Sequence, residues 1–143
     1  MFYFAYGSNL NHNQMLNIRC NGCKYIQNTF LIDYNLSFCH PKKDNIFGYA
    51  NVVKKKGSKV PGAIWNITGQ HETILDQYEQ FPDSYKKNYF YFNKRKVMFY
   101  YMETCSFEKP SERYINIIKQ GYKDCNIDIE YLRRRLQYYN IDL

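Results

Sequence analysis

The sequence predicts a strand-rich mixed α/β (α+β) domain with few helices. Its sheet is expected to curl or close into a small barrel rather than to lie as a doubly wound parallel layer. Three observations carry this. Apolar residues alternate with a period of two in several separate stretches, whereas helical spacing appears in only a few. An aromatic payload of 16 Tyr and 10 Phe can build a core despite a mean hydropathy of -0.65, because tyrosine packs its ring while keeping its tip hydrogen-bonded. No internal repeat or linker interrupts the 143 residues, a length that suits one core and one domain over residues 1–143.

Residues 1–6 read as a short apolar strand that breaks at Gly7 into a polar turn, and residues 11–18 as a short helix. Phe30, Ile32, Tyr34, Leu36 and Phe38 alternate strictly, the mark of a half-buried strand. Residues 49–53 form a further strand. A lysine-rich loop at 54–59 then leads through Pro61-Gly62 into a fourth strand carrying Ala63, Trp65 and Ile67. A helix is expected over 70–79, with His71, Ile74, Leu75 and Tyr78 on one face and Pro82 stopping it. Residues 85–92 and 96–102 pair as a hairpin turning near Asn93-Lys94. Ser111 is suited to cap an amphipathic helix bearing Tyr114, Ile117, Ile118, Gly121 and Tyr122. A last helix turns Ile129, Leu132 and Leu136 inward and residues 133–135 mostly outward.

A formal charge of +7 raises the question of an anionic partner. The basic residues are scattered, however, among Lys42-Lys43 and runs at 54–56, 86–87, 94–96 and 133–135, which suits solvated faces and loop tips. The five cysteines are Cys20, Cys23, Cys39, Cys105 and Cys125, an odd number behind a start that lacks the features of a signal peptide. They are expected to be free thiols in a reducing, cytoplasmic setting. Cys20 and Cys23 have the spacing of half a zinc site, but no second pair follows, so no metal is expected. His12, His40 and His71 have no metal-like spacing, and no apolar run is long enough to span a bilayer.

Two features carry chemistry. A Gly7-Ser8 turn closing a strand exposes consecutive backbone N–H groups, which can cradle a carboxylate or a developing oxyanion. Glycine there tolerates positive φ and lets a ligand approach the backbone. Ser8 lacks a nucleophile elbow, so a serine hydrolase is rejected. Glu79 falls on the border of the helix's buried stripe, where partial desolvation raises a carboxylate's pKa and suits an acid/base role; Asp76 points well away from that stripe. A solvated glutamate at a helix end is the plain alternative. Tyr100, Tyr101 and Tyr114 read first as core residues whose hydroxyls could line a pocket.

These pieces occur in one order. Tyr3-Phe4-Ala5-Tyr6-Gly7-Ser8-Asn9-Leu10, Pro61-Gly62-Ala63-Ile64-Trp65, Leu75-Asp76-Gln77-Tyr78-Glu79 and Pro110-Ser111-Glu112-Arg113-Tyr114 together resemble the gamma-glutamylcyclotransferase family. Gly121 followed by Ile127-Asp128-Ile129-Glu130-Tyr131 is similar to that family's closing Gly and Leu-Pro-x-x-Tyr pattern. The resemblance implies a mixed α/β domain around a small β-barrel with flanking helices. It implies conversion of a γ-glutamyl amine to 5-oxoproline and the free amine, with no cofactor. It places the substrate-binding loop on Tyr3, Phe4, Ala5, Tyr6, Gly7, Ser8 and Asn9, the acid/base on Glu79, and further substrate contacts on Tyr114 and Tyr100. The expected partner is a small γ-glutamyl molecule, with neither nucleic acid nor membrane, and a homodimer follows by family analogy alone.

Two departures stand out. Gln80 replaces the glycine that commonly follows the glutamate, and Asp128 replaces the usual proline. The Tyr-Gly-Ser-Asn form of the turn, in place of Tyr-Gly-Ser-Leu, tilts the expectation toward γ-glutamyl amino acids rather than glutathione. Two alternatives stay open: a relative acting on γ-glutamylamines or another γ-glutamyl compound, and a basic binding module without catalysis.

Overall fold

A computed structural model describes residues 1–40 and 46–143. Lys42-Lys43, one of the expected basic runs, lies outside the described residues. Among the described residues a curled six-stranded sheet of half-barrel form, in the order β4-β5-β1-β3-β2-β6, carries three α-helices. The strands are β1 (Phe2–Ala5), β2 (Lys24–His40), β3 (Tyr49–Asn66), β4 (Lys86–Phe92), β5 (Arg95–Tyr101) and β6 (Ser106–Phe107). The helices are α1 (Gly69–Tyr78), α2 (Glu112–Asp124) and α3 (Glu130–Gln137). Among the described residues no helix is long and apolar enough to cross a membrane.

The short β1 sits inside the sheet, antiparallel to β3 and parallel to β5, which explains why Phe4 and Ala5 are buried on both sides. Asn93 and Lys94 both take positive φ, as a tight two-residue hairpin turn requires, and join β4 to β5 where the sequence expects.

The long β2–β3 ribbon departs from expectation twice. β2 starts at Lys24, well before Phe30, and residues 54–59 are not a free loop but part of the continuous β3. Ile32 faces Lys59 and Tyr34 faces Lys54, so residues 55–58 bulge out against Asp33 alone. Asp33 takes φ 66°, and its carboxylate accepts the Gly57 N–H at 2.9 Å. A bulge shifts the inward register, so the five-residue alternation does not share one face. Leu31 is buried before the bulge and Leu36 and Phe38 after it, while Phe30 and Ile32 are exposed.

The outer edge of β2 is closed by side chains. Tyr131 and Tyr139 hydroxyls accept the N–H groups of Leu36 and Phe38, and Arg135 donates to the Leu36 carbonyl, so α3 and the residues just after it satisfy an edge that would otherwise attract another strand. Leu132 and Leu136 of α3 are fully buried, as the heptad-like spacing predicts. Asp128 accepts the Glu130 N–H at 2.9 Å, which gives α3 the start that the family's proline would otherwise provide. Ser111 caps α2 through the Tyr114 N–H, as expected.

The expectation of five free thiols is corrected. Cys39 and Cys105 form a disulfide, Cα–Cα 5.1 Å, and Cys20, Cys23 and Cys125 remain free and buried. The two cysteines lie 66 residues apart in sequence and meet only because β6 pairs with the end of β2.

Candidate active site

A cavity of about 610 Å³ opens at the end of β1. Its floor is the Gly7-Ser8-Asn9 turn, and one wall is the end of α1. The turn is a single 3₁₀ turn over Ser8–Leu10, held by Leu10 N–H to the Gly7 carbonyl and Asn11 N–H to the Ser8 carbonyl. Among the described residues no acceptor takes the N–H of Gly7 or Ser8.

Gly7 does not have the positive φ that its type suggests; its φ is -122°. Glycine is needed there for closeness instead. A Cβ at Gly7 would stand 2.9 Å from Ala50 Cβ and 3.3 Å from the Tyr114 hydroxyl. Helix α2 presses on the far side of the same turn, where a Cβ on Gly121 would meet Leu10 Cβ at 2.6 Å. The two glycines let the turn lie between the sheet and α2.

Side-chain hydrogen bonds fix the turn further. Gln14 donates to Ser8 Oγ at 2.9 Å and to Asn9 Oδ1 at 2.8 Å, and Asn9 Nδ2 donates to the Tyr3 hydroxyl at 3.0 Å. Tyr6 donates to the Tyr100 carbonyl at 2.6 Å, which ties the end of β1 to β5. The Tyr114 hydroxyl accepts the Ala50 N–H at 3.1 Å and the Tyr85 hydroxyl donates to the Ala50 carbonyl at 2.7 Å. Buried phenols thus surround the turn, each with a polar partner.

Glu79 enters this cavity from the C-cap of α1. The helix begins at Thr68, whose hydroxyl accepts the His71 N–H while His71 Nδ1 accepts the Thr68 N–H, so His71 is a capping residue. The helix ends in a Schellman arrangement, with Gln80 N–H on the Gln77 carbonyl and Phe81 N–H on the Asp76 carbonyl. Gln80 takes φ 51°, the left-handed conformation that glycine adopts without strain, so the exit of the helix follows the glycine-type path despite the substitution. Glu79 is partly exposed through the cavity mouth, yet burial of its carboxyl dominates and raises its pKa from 4.5 to about 7; the nearby Arg19 charge opposes that rise. Burial also raises the Tyr3, Tyr6, Tyr85, Tyr100 and Tyr114 hydroxyls, and proximity to Glu79 adds to each.

Of the residues singled out from the sequence, Glu79, Tyr3, Tyr6, Gly7, Ser8, Asn9, Tyr100 and Tyr114 share this cavity. Phe4 and Ala5 do not line it; paired with Ile64 and Ala63 of β3, both are buried in the core. Asp76 does not stand apart in solvent. It accepts the Tyr100 hydroxyl at 2.6 Å and a Lys87 ammonium that also bonds Glu72, so it anchors a cavity tyrosine. Tyr78, expected on the buried stripe, is 52% exposed.

Gln14, Arg19, Tyr49 and Tyr85 also line the cavity, and the sequence did not mark them. Gln14 and Arg19 sit on a wide helical turn, Gln14–Arg19, closed by Cys20 N–H to the Met15 carbonyl at 2.8 Å, whose relation to α1 exists only after folding.

This curled sheet, with one carboxylate and a ring of phenols around a bare-amide turn, defines a cyclotransferase-like protein. The chain belongs to the family described as gamma-glutamyl cyclotransferase, AIG2-like, which matches residues 3–122. Solved structures agree in fold. An uncharacterized protein from Homo sapiens, loc79017, is 24% identical with a TM-score of 0.80 over 94% of this chain and 85% of that one. A structure described as gamma-glutamyl cyclotransferase is 24% identical, with a TM-score of 0.79 and the same coverage. YkqA from Bacillus subtilis is 16% identical with a TM-score of 0.79; 98% of this chain matches 54% of that one, so the chain spans about half its length. No curated protein sequence matches the chain significantly.

Proposed function

We propose that the chain is a γ-glutamylcyclotransferase that converts a γ-glutamyl amino acid or dipeptide to 5-oxoproline and the free amino acid. The observation that carries this reading is the meeting of Glu79, with a pKa of about 7, and the free amides of Gly7 and Ser8 in one cavity. A carboxyl half-ionised near neutrality can both take and return a proton.

The substrate supplies its own nucleophile. Its α-ammonium gives a proton to the Glu79 carboxylate, and the freed amine attacks the γ-carbonyl carbon. A five-membered ring closes through a new C–N bond. The oxyanion that develops is met by the turn N–H groups, where one donor is worth about 3 to 4 kcal/mol. The bond to the departing amine then breaks, and Glu79 returns the proton to that nitrogen. Folding the flexible substrate into a near-attack shape supplies several kcal/mol more, to a ceiling of roughly 7 to 11. The ring nitrogen still carries two hydrogens after attack and gives up the second proton to solvent as the lactam forms, while the released amine takes one up from solvent as it becomes an ammonium. Two protons leave one nitrogen and two reach the other, so atoms and charge balance with no external reactant.

Incubation with γ-glutamyl-alanine, γ-glutamyl-lysine and glutathione, with 5-oxoproline as the readout, tests the reading. Glu79→Gln keeps size and polarity while removing the base. It is expected to lower kcat by roughly a hundred- to ten-thousandfold with substrate affinity retained. Turnover by that variant near the wild-type rate rejects the assignment.

A further inference from the structure

Arg19 lines the cavity, and the chemistry above leaves it unused. Its guanidinium sits over the Tyr78 ring, 3.5 Å from the centroid. Stacking occupies the face of the fork and leaves its in-plane N–H donors available. Among the described residues Arg19 has no ion-pair partner. Glu79, the one acid lining the cavity among the described residues, is near enough to feel the Arg19 charge but is not bridged to it. A built cavity therefore holds a cation that no described carboxylate neutralises.

The position of that cation along the cavity is informative. Tyr78 is half exposed, so the stacked pair stands on the mouth side, whereas Tyr3 and Tyr6 at the turn are buried. The glutamyl half of a substrate must reach the inner end, because ring closure needs the Gly7 and Ser8 amides and Glu79 together. The departing amine extends toward the mouth. An α-amino acid carries its carboxylate one carbon from the nitrogen that departs, and Glu79 must reach that nitrogen to return the proton. The carboxylate thus arrives beside the cation that neighbours Glu79.

We infer that Arg19 is a specificity-determining residue that binds the carboxylate of the departing amino acid and so favours γ-glutamyl amino acids over γ-glutamylamines that lack one. This inference rests on the cyclisation reading. A planar fork meeting a carboxylate forms paired, charge-assisted hydrogen bonds, and losing such contacts to a charged group costs roughly ten- to a hundredfold in affinity for the transition state.

The test compares kcat/KM for γ-glutamyl-alanine with that for γ-glutamylethylamine, the same compound without the carboxylate, in the wild type and in Arg19→Met. The ratio of the two substrates cancels any change in folded fraction or in the pKa of Glu79, since both act equally on each substrate. The expected result is a wild-type preference for γ-glutamyl-alanine of roughly ten- to a hundredfold that falls to near unity in Arg19→Met. Arg19→Lys keeps the charge without the fork and carries the same comparison if the methionine variant does not fold; its ratio is expected to fall at least roughly threefold. An equal loss on both substrates, an unchanged ratio, or no wild-type preference overturns the role of Arg19 while 5-oxoproline release leaves cyclisation standing. No 5-oxoproline from either substrate with the wild type overturns the cyclisation reading, and the inference falls with it.

Discussion

Glu79 titrates near 7 in the folded chain against an ordinary 4.5, and burial is the larger cause. The sign follows from linkage. Between those two values the folded state holds a proton that the unfolded state has released, so stability falls as pH rises through that window. The uncharged form is the comfortable one, and the ionised form that the mechanism needs is the strained one. Glu79→Gln is therefore expected to melt higher than the wild type at pH 8, by on the order of 2 kcal/mol or less, and to match it at pH 4; thermal denaturation at the two pH values reads this directly. The same titration places the acid limb of the rate profile near pH 7. Gly7 shows a different residue-scale constraint. A side chain there would be driven into Ala50, which is held in the β3 ladder, so Gly7→Val is expected to cost roughly 1 to 3 kcal/mol and to abolish 5-oxoproline release.

At the scale of an element, the exit of α1 decides where Glu79 points. The Schellman bonds from Gln80 and Phe81 set the last turn, and the left-handed Gln80 turns the chain away so that the preceding glutamate faces the cavity. A residue with a Cβ pays about 1 kcal/mol in that conformation. Gln80→Gly is expected to raise stability by about that amount, measured by denaturant titration, and a fall in stability shows that the side chain's bond with Ser84 matters more than the backbone strain. Helix α2 acts through its small residue, Gly121, whose missing Cβ lets the helix press on Leu10 and fix the turn from behind. Sequence periodicity places α1 to within a residue, 70–79 against Gly69–Tyr78, and finds α2 and α3 from their apolar stripes. It misreads β2 because the bulge at Asp33 reverses the face halfway along, and no local residue type announces that reversal.

Across the whole molecule, one covalent bond joins parts that the chain order separates. The Cys39–Cys105 disulfide closes a loop of 66 residues between the end of β2 and the segment entering β6. Such a loop restricts the unfolded chain by about 4 kcal/mol on the entropic account. Reduction, or Cys39→Ser, is expected to lower the melting temperature correspondingly; equal melting curves with and without reductant show that the bond contributes nothing. The cavity is likewise a property of the whole. Its walls come from β1, β3, β5, α1, α2 and the turns after β1, and Asp76 with Lys87 holds Tyr100 in place from outside.

What the sequence by itself determined is what depends on neighbours along the chain: the strand-to-turn break at Gly7, the cap at Ser111, the hairpin at Asn93-Lys94, and the place of Glu79 at the end of an amphipathic helix. The ordered motifs also identified the family. Only the tertiary structure decided that Asp76 supports a cavity tyrosine, that Phe4 and Ala5 lie in the core and not in the cavity wall, that Arg19 lines the cavity, and that Cys39 meets Cys105. The physical reason is distance along the chain. Hydrogen bonding and periodicity act over a few residues and leave a local trace, whereas these contacts join residues that the curl of the sheet brings together.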